Sequence, residues 1–132
     1  MANITPIIVG TFIYIIPTFL MAYFWHLKWF KKFYEKVDYA GGNPSPPLGL
    51  ASMIVQGIII STIYYFAPID HGSLAEGSIV VGLIAALHWS THVIAAMAKN
   101  NKLRNLRYVG LETTFLVIQF GLYAMLISAI AY

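Results

Sequence analysis

Four long apolar runs constrain this chain more than any other feature. They cover roughly residues 7–27, 48–67, 74–97 and 109–131, and the connections between them are too short to form a domain. Wound as helix at 1.5 Å per residue, each run is about 30 Å long, the thickness of a bilayer's hydrocarbon core. Barrel strands would be about ten residues long and strictly alternating, which these uniform runs are not. Composition agrees: 10% of the residues are charged, against about a quarter in an ordinary soluble domain. The expected fold is therefore all-α, a polytopic membrane four-helix bundle in which residues 1–132 form a single transmembrane domain. Met1 to Pro6 carry no Lys or Arg, and the first run leads into a Trp-Lys stretch instead of a small-residue cleavage site. It is expected to remain as a span and not to act as a cleaved signal.

The net charge of +3 is informative only through its placement. All eight basic residues fall in two connections, Lys28, Lys31, Lys32 and Lys36 after the first run and Lys99, Lys102, Arg104 and Arg107 before the fourth. Short loops rich in Lys and Arg stay cytoplasmic, so the expected orientation is N-out and C-out, with the Asp70-His71 turn on the far side. Basic clusters placed this way set topology and attract anionic lipid headgroups, so no nucleic-acid partner is expected. Between Trp29 and Tyr39, aromatic and basic residues alternate, which suits a helix extension lying at the membrane interface. The stretch from Gly41 to Pro47 is read as a hairpin, because glycine and proline both disfavour helix. Pro68 ends the second span, Ser73 with Glu76 fits a capping box for the third, and His71 is read as a solvated loop histidine.

Cysteine is absent, which excludes disulfides, thiolate metal sites and a cysteine nucleophile. No phosphate loop, no nucleophile beside a base and no carboxylate pair is visible, so no enzymatic activity is expected of the chain on its own. The informative residues are the polar ones inside the spans. His88 and His92 lie one turn apart on one face of the third span, Glu112 and Gln119 share a face of the fourth, Gln56 lies in the second, and His26 closes the first. His92 is about 10 Å from Lys99, and Glu112 is about 7 Å from Arg107. Neighbouring antiparallel helices would therefore bring these two side chains to the same depth. The expected site is a cluster in the cytoplasmic half of His92, Glu112, His88 and Gln56, with His26 at its rim. An ionised Glu in mid-bilayer costs a few kcal/mol unless paired, on the order given by insertion scales, and a His partner would offset that.

Three readings of the cluster stay open. It fixes helix register through hydrogen bonds worth on the order of 1 kcal/mol each. It holds a transition metal or haem through His88, His92 and Glu112, whose donor types suit zinc, copper or iron. Or it forms a path for a proton or small molecule. The third span also carries Ser78, Gly82, Ala86 and Ser90 at four-residue spacing, a small-residue groove roughly opposite the histidines and suited to close helix packing with a partner.

Phe24-Trp25-His26-Leu27 with Phe30-Lys31 and Tyr34, then Pro47-Leu48-Gly49 with Ser52-Met53 and Gln56-Gly57, then Leu111-Glu112 with Phe115 and Gln119-Phe120, resemble small bacterial four-helix membrane proteins that form a domain family of unknown function. The resemblance implies a four-span fold in a bacterial inner membrane and places His26, Gln56, Glu112 and Gln119 in the family pattern. It implies no activity, and His88 and His92 lie outside the pattern. The leading functional expectation is an accessory or structural subunit of a larger inner-membrane complex, or a homo-oligomer, surrounded by lipid and by other membrane subunits or copies of itself. The alternative is a membrane protein that binds or conducts a metal ion, proton or small molecule through the His/Glu cluster.

Overall fold

The computed structural model describes residues 3–132. Four helices are long and apolar enough to cross a membrane: α1 (Thr5–Trp29), α3 (Pro46–Phe66), α4 (Leu74–Lys99) and α5 (Leu106–Ala131). A short helix, α2 (Lys31–Lys36), follows α1. No strand occurs among the described residues.

Local chemistry explains where the helices start and stop. Pro46 and Pro47 occupy the first turn of α3, where a missing N–H removes no helical bond, and α3 ends at Ala67, held extended before Pro68. The Ser73 hydroxyl accepts from the Glu76 amide at 3.3 Å and starts α4. The Glu76 carboxylate accepts from the Asp70 amide at 2.8 Å, so the reciprocal half of the expected capping box closes one turn earlier. Asn105 caps α5 by accepting from the Tyr108 amide at 2.8 Å. His71 is not simply solvated: its Nε2 lies 3.0 Å from the carbonyl oxygens of both Tyr64 and Tyr65 and its ring stacks on Tyr132. It gives a partner to the Tyr65 carbonyl and a second one to the Tyr64 carbonyl, which also accepts from the Ala67 amide at 3.3 Å.

Parts of three spans wind as π turns, at Trp25–Trp29, Ser90–Ile94 and Ile127–Ala131. The first two carry His26 and His92, and such bulges change the direction in which side chains leave a helix.

Packing is uneven. α1 lies against α3, α4 against α5, and α5 also against α1, while α3 and α4 touch only sparsely. The bundle therefore runs α3, α1, α5, α4, with a cleft where α3 and α4 face each other. α5 is the core: 44% of its apolar window is buried, against 11–22% for the other spans. Elsewhere the surface is apolar, with Leu83, Leu87 and Val117 each about two-thirds or more exposed. An apolar surface this extensive suits lipid and not water. Helices approach closely between α1 and α3 and also where Tyr64 of α3 packs on Gly77 of α4. A Cβ at Gly10 would sit 2.7 Å from the Ser61 hydroxyl, and one at Gly57 3.2 Å from the Thr11 carbonyl oxygen. The small-residue groove of α4 is not used this way. Ser78, Gly82 and Ala86 are exposed and Ser90 is half-buried.

The two basic connections lie at the same end of the bundle, where the Arg107 guanidinium sits 4.8 Å over the Phe33 ring. There the chain folds back after α2 instead of running on along the interface. Asp38 adopts a left-handed backbone with φ of 54°, a conformation that Asp tolerates better than most residues. Tyr34 and Val37 are buried as a result.

Candidate functional site

Glu112 is completely buried on α5. Its Oε1 lies 2.7 Å from His26 Nε2 on α1 and accepts from the Tyr34 hydroxyl at 2.6 Å. Its Oε2 lies 2.8 Å from His92 Nε2 on α4, with the Tyr39 hydroxyl 3.4 Å away. Tyr39 also lies 3.0 Å from His92 Nε2. Four segments of the chain thus converge on one carboxylate, and among the described residues no buried side-chain nitrogen or oxygen lacks a partner.

The donors and acceptors here largely fix where protons lie. Trp25 Nε1 can only donate, and it donates to the Tyr34 hydroxyl at 3.0 Å, so Tyr34 must use its own hydrogen on Glu112. His26 faces an acceptor on each side, the Ala22 carbonyl 3.1 Å from Nδ1 and Glu112 Oε1 2.7 Å from Nε2. With Nδ1 donating to the carbonyl, one further proton must occupy the 2.7 Å line between ring and carboxylate, on one group or the other. The His26–Glu112 pair then carries no net charge, which offsets the cost of a carboxylate inside a bilayer. Burial pushes the Tyr34 and Tyr39 hydroxyls well above the ordinary phenol range, and the nearby Glu112 adds to it. Both therefore remain protonated and available as donors.

A cavity of about 230 Å³ lies at the basic end against this cluster, lined by His26, Tyr34 and Tyr39 together with Lys31, Glu35 and Asp38. Three side chains at the carboxylate are thus also walls of a space reached from that end.

The structure brings together some of the residues expected from sequence and separates others. His92 and Glu112 meet. His26, expected at the rim, is one of the two closest partners of the carboxylate. His88 makes no bond to Glu112; it stacks on His92 with ring centroids 5.2 Å apart. Gln56 belongs to a different layer, nearer the middle of the bundle, where its Oε1 accepts from the Tyr14 hydroxyl at 2.7 Å and Gln119 Nε2 donates to the same hydroxyl at 2.9 Å. Gln56 Nε2 in turn donates to the Ser52 hydroxyl at 2.9 Å. The metal-ligand set of His88, His92 and Glu112 is therefore not assembled, and no three His, Asp or Glu side chains among the described residues converge as metal ligands. In the cluster that does form, the imidazole nitrogens point at the carboxylate oxygens at hydrogen-bond distance.

Sequence reasoning missed Tyr14, Tyr34 and Tyr39. Tyr14 carried a usable signal: a hydroxyl deep within a span needs a partner, unlike one in the interfacial belt. No family model, curated protein or solved structure matches the chain.

Proposed function

We propose that this chain is a four-span integral membrane protein that binds and exchanges a proton at the His26–Glu112–His92 centre, reached from the cytoplasmic side. The observation that carries the reading is the 2.7 Å line between His26 Nε2 and Glu112 Oε1, which must hold one proton because the other His26 nitrogen also faces an acceptor. His92 on the second carboxylate oxygen offers a neighbouring place for that proton. A structural role alone does not account for so much ionisable chemistry, since apolar replacements of buried ion pairs are often as stable. The cytoplasmic assignment rests on the Lys and Arg residues at the same end, and a bacterial inner membrane with both termini outside accords with that charge bias and with the family resemblance.

Infrared spectroscopy of the protein reconstituted in liposomes tests this. A carboxyl band should change between pH 4 and pH 9 and vanish in Glu112→Gln. A band indifferent to pH would reduce the cluster to a structural lock. A reporter fused at Tyr132 should appear outside the cytoplasm, and a cytoplasmic signal would reverse the side from which the proton enters.

A second reading is favoured by a separate observation. Ser78, Gly82 and Ala86 on α4 are exposed, and a Cβ at Gly82 would meet nothing within 4 Å. Small residues left open on a span suit close contact with another membrane helix, which supports service as an accessory subunit or a homo-oligomer. Native mass spectrometry from membranes should find a partner chain or a second copy; a stable solitary monomer would overturn it.

A further inference from the structure

The cleft between α3 and α4 holds a second group of polar side chains, which adjoins the Glu112 cluster where His88 stacks on His92 but shares no hydrogen bond with it. A cavity of about 100 Å³ is lined there by His88, Gln56 and Tyr14, with walls of Ile59, Ile84 and Phe120. It lies deep in the membrane. Gln56 is ten residues from each end of α3, about 15 Å from either, and His88 is about 16 Å from Lys99 and about 20 Å from Leu74 along α4.

His88 is the anomaly. Its ring is half-buried, and neither nitrogen bonds to any described residue. The other polar side chains at the cavity have partners: Tyr14 donates to Gln56 and accepts from Gln119, and Gln56 donates one amide hydrogen to Ser52. A polar group left without a partner in hydrocarbon costs several kcal/mol by transfer measurements. The ring therefore calls for an occupant of the cavity that can bond to it.

The unused bonding capacity describes that occupant. A neutral His88 offers one N–H, and Gln56 keeps its second amide hydrogen, so two of the side chains that line the cavity have a hydrogen left for an acceptor oxygen. No side chain lining it carries a fixed charge, which favours a neutral molecule. The walls are aliphatic with one aromatic ring. Ile59 on the lip is 51% exposed, and the sparse contact between α3 and α4 leaves the cleft open towards lipid. Ester carbonyls of glycerolipids stay at the interface, about 15 Å from the bilayer centre on a 30 Å core. A carbonyl that reaches His88 must belong to a molecule dissolved in the hydrocarbon itself.

We propose that this cleft binds the head of a lipid-soluble carbonyl compound of the quinone class, with its oxygen received by His88 and Gln56. The proposal does not depend on proton exchange at Glu112.

The chain has four histidines, so ring-nitrogen NMR can follow each of them. Histidine-labelled protein in nanodiscs of synthetic phosphatidylcholine is titrated with decylubiquinone, and the His88 signal is identified by its loss in His88→Phe. That signal should shift saturably. The half-saturation concentration should rise at least fivefold in Gln56→Leu and stay unchanged in Lys32→Gln, an exposed position outside both clusters, while decylbenzene, which has no carbonyl, gives no shift. The His71 signal at the far end of the bundle reports that each variant is folded. A His88 signal that stays still, moves in proportion to the probe without saturating, or responds equally to decylbenzene would overturn the proposal. So would a Gln56→Leu variant that binds as the parent does.

Discussion

Seven residues apart on the buried face of α5, Glu112 and Gln119 have different surroundings. Glu112 is ionisable and is met by two imidazoles and a phenol at 2.6–2.8 Å, beside a cavity at the basic end. Gln119 is neutral and joins a short chain through Tyr14 to Gln56. Both layers tie spans together with polar bonds. The first is built from ionisable groups, whereas the second is neutral throughout. Both layers tie helices together, but only the first does so through a carboxyl group and imidazoles.

The largest expected effect is on the Glu112 layer. Glu112→Leu leaves two histidines and a tyrosine facing a buried gap, and should cost about 3–5 kcal/mol, the range for breaking a buried pair from one side. The drop in thermal midpoint in detergent micelles measures it. Next, His26→Leu should destabilise more than the double variant His26→Leu/Glu112→Leu, because the single change strands the carboxylate while the double change removes both members. A double variant worse than the single would mean that the pair stabilises as an ordinary hydrogen bond. Gln119→Leu should cost about 1 kcal/mol, typical of an interhelical bond in a membrane; a loss equal to that of Glu112→Leu would erase the contrast between the layers. The smallest effect concerns pH. Tyr34 and Tyr39 lose their protons in the folded bundle only well above the ordinary value of 10.0. From about pH 10 upwards an unfolded chain ionises them and the folded one does not, so stability should fall across that window. Tyr34→Phe should make the decline shallower.

Much of this was legible in the sequence. The spans followed from run length, and the meeting of His92 with Glu112 followed from counting helical rise to the nearest basic residues. Two other placements depended on geometry that composition and periodicity do not carry. His26 leaves α1 from a π turn, where the 3.6-residue period no longer describes its direction. Tyr34 and Tyr39 reach the carboxylate because the chain reverses near the left-handed Asp38, so residues that looked like interfacial anchors became part of the core. Gln56 was placed too near the basic end because the helix starts at Pro46, ahead of the apolar run, which puts Gln56 at its midpoint. The groove on α4 shows the same limit from the other side: its spacing suits packing, yet the close approaches run through Gly10, Gly57 and the neighbouring Gly77 instead.

The Gln119–Tyr14–Gln56 chain has a further consequence for any ion gradient across the bilayer. Protons hop along groups that give and take at the same atom, as hydroxyls and water do. A side-chain amide gives from nitrogen and takes at oxygen, so this chain, with an amide at each end, is a poor wire. Gln119 directs its hydrogen towards Tyr14, Tyr14 directs its own towards Gln56, and neither bond can reverse without rotating an amide. These three side chains therefore form no relay along which a proton could hop.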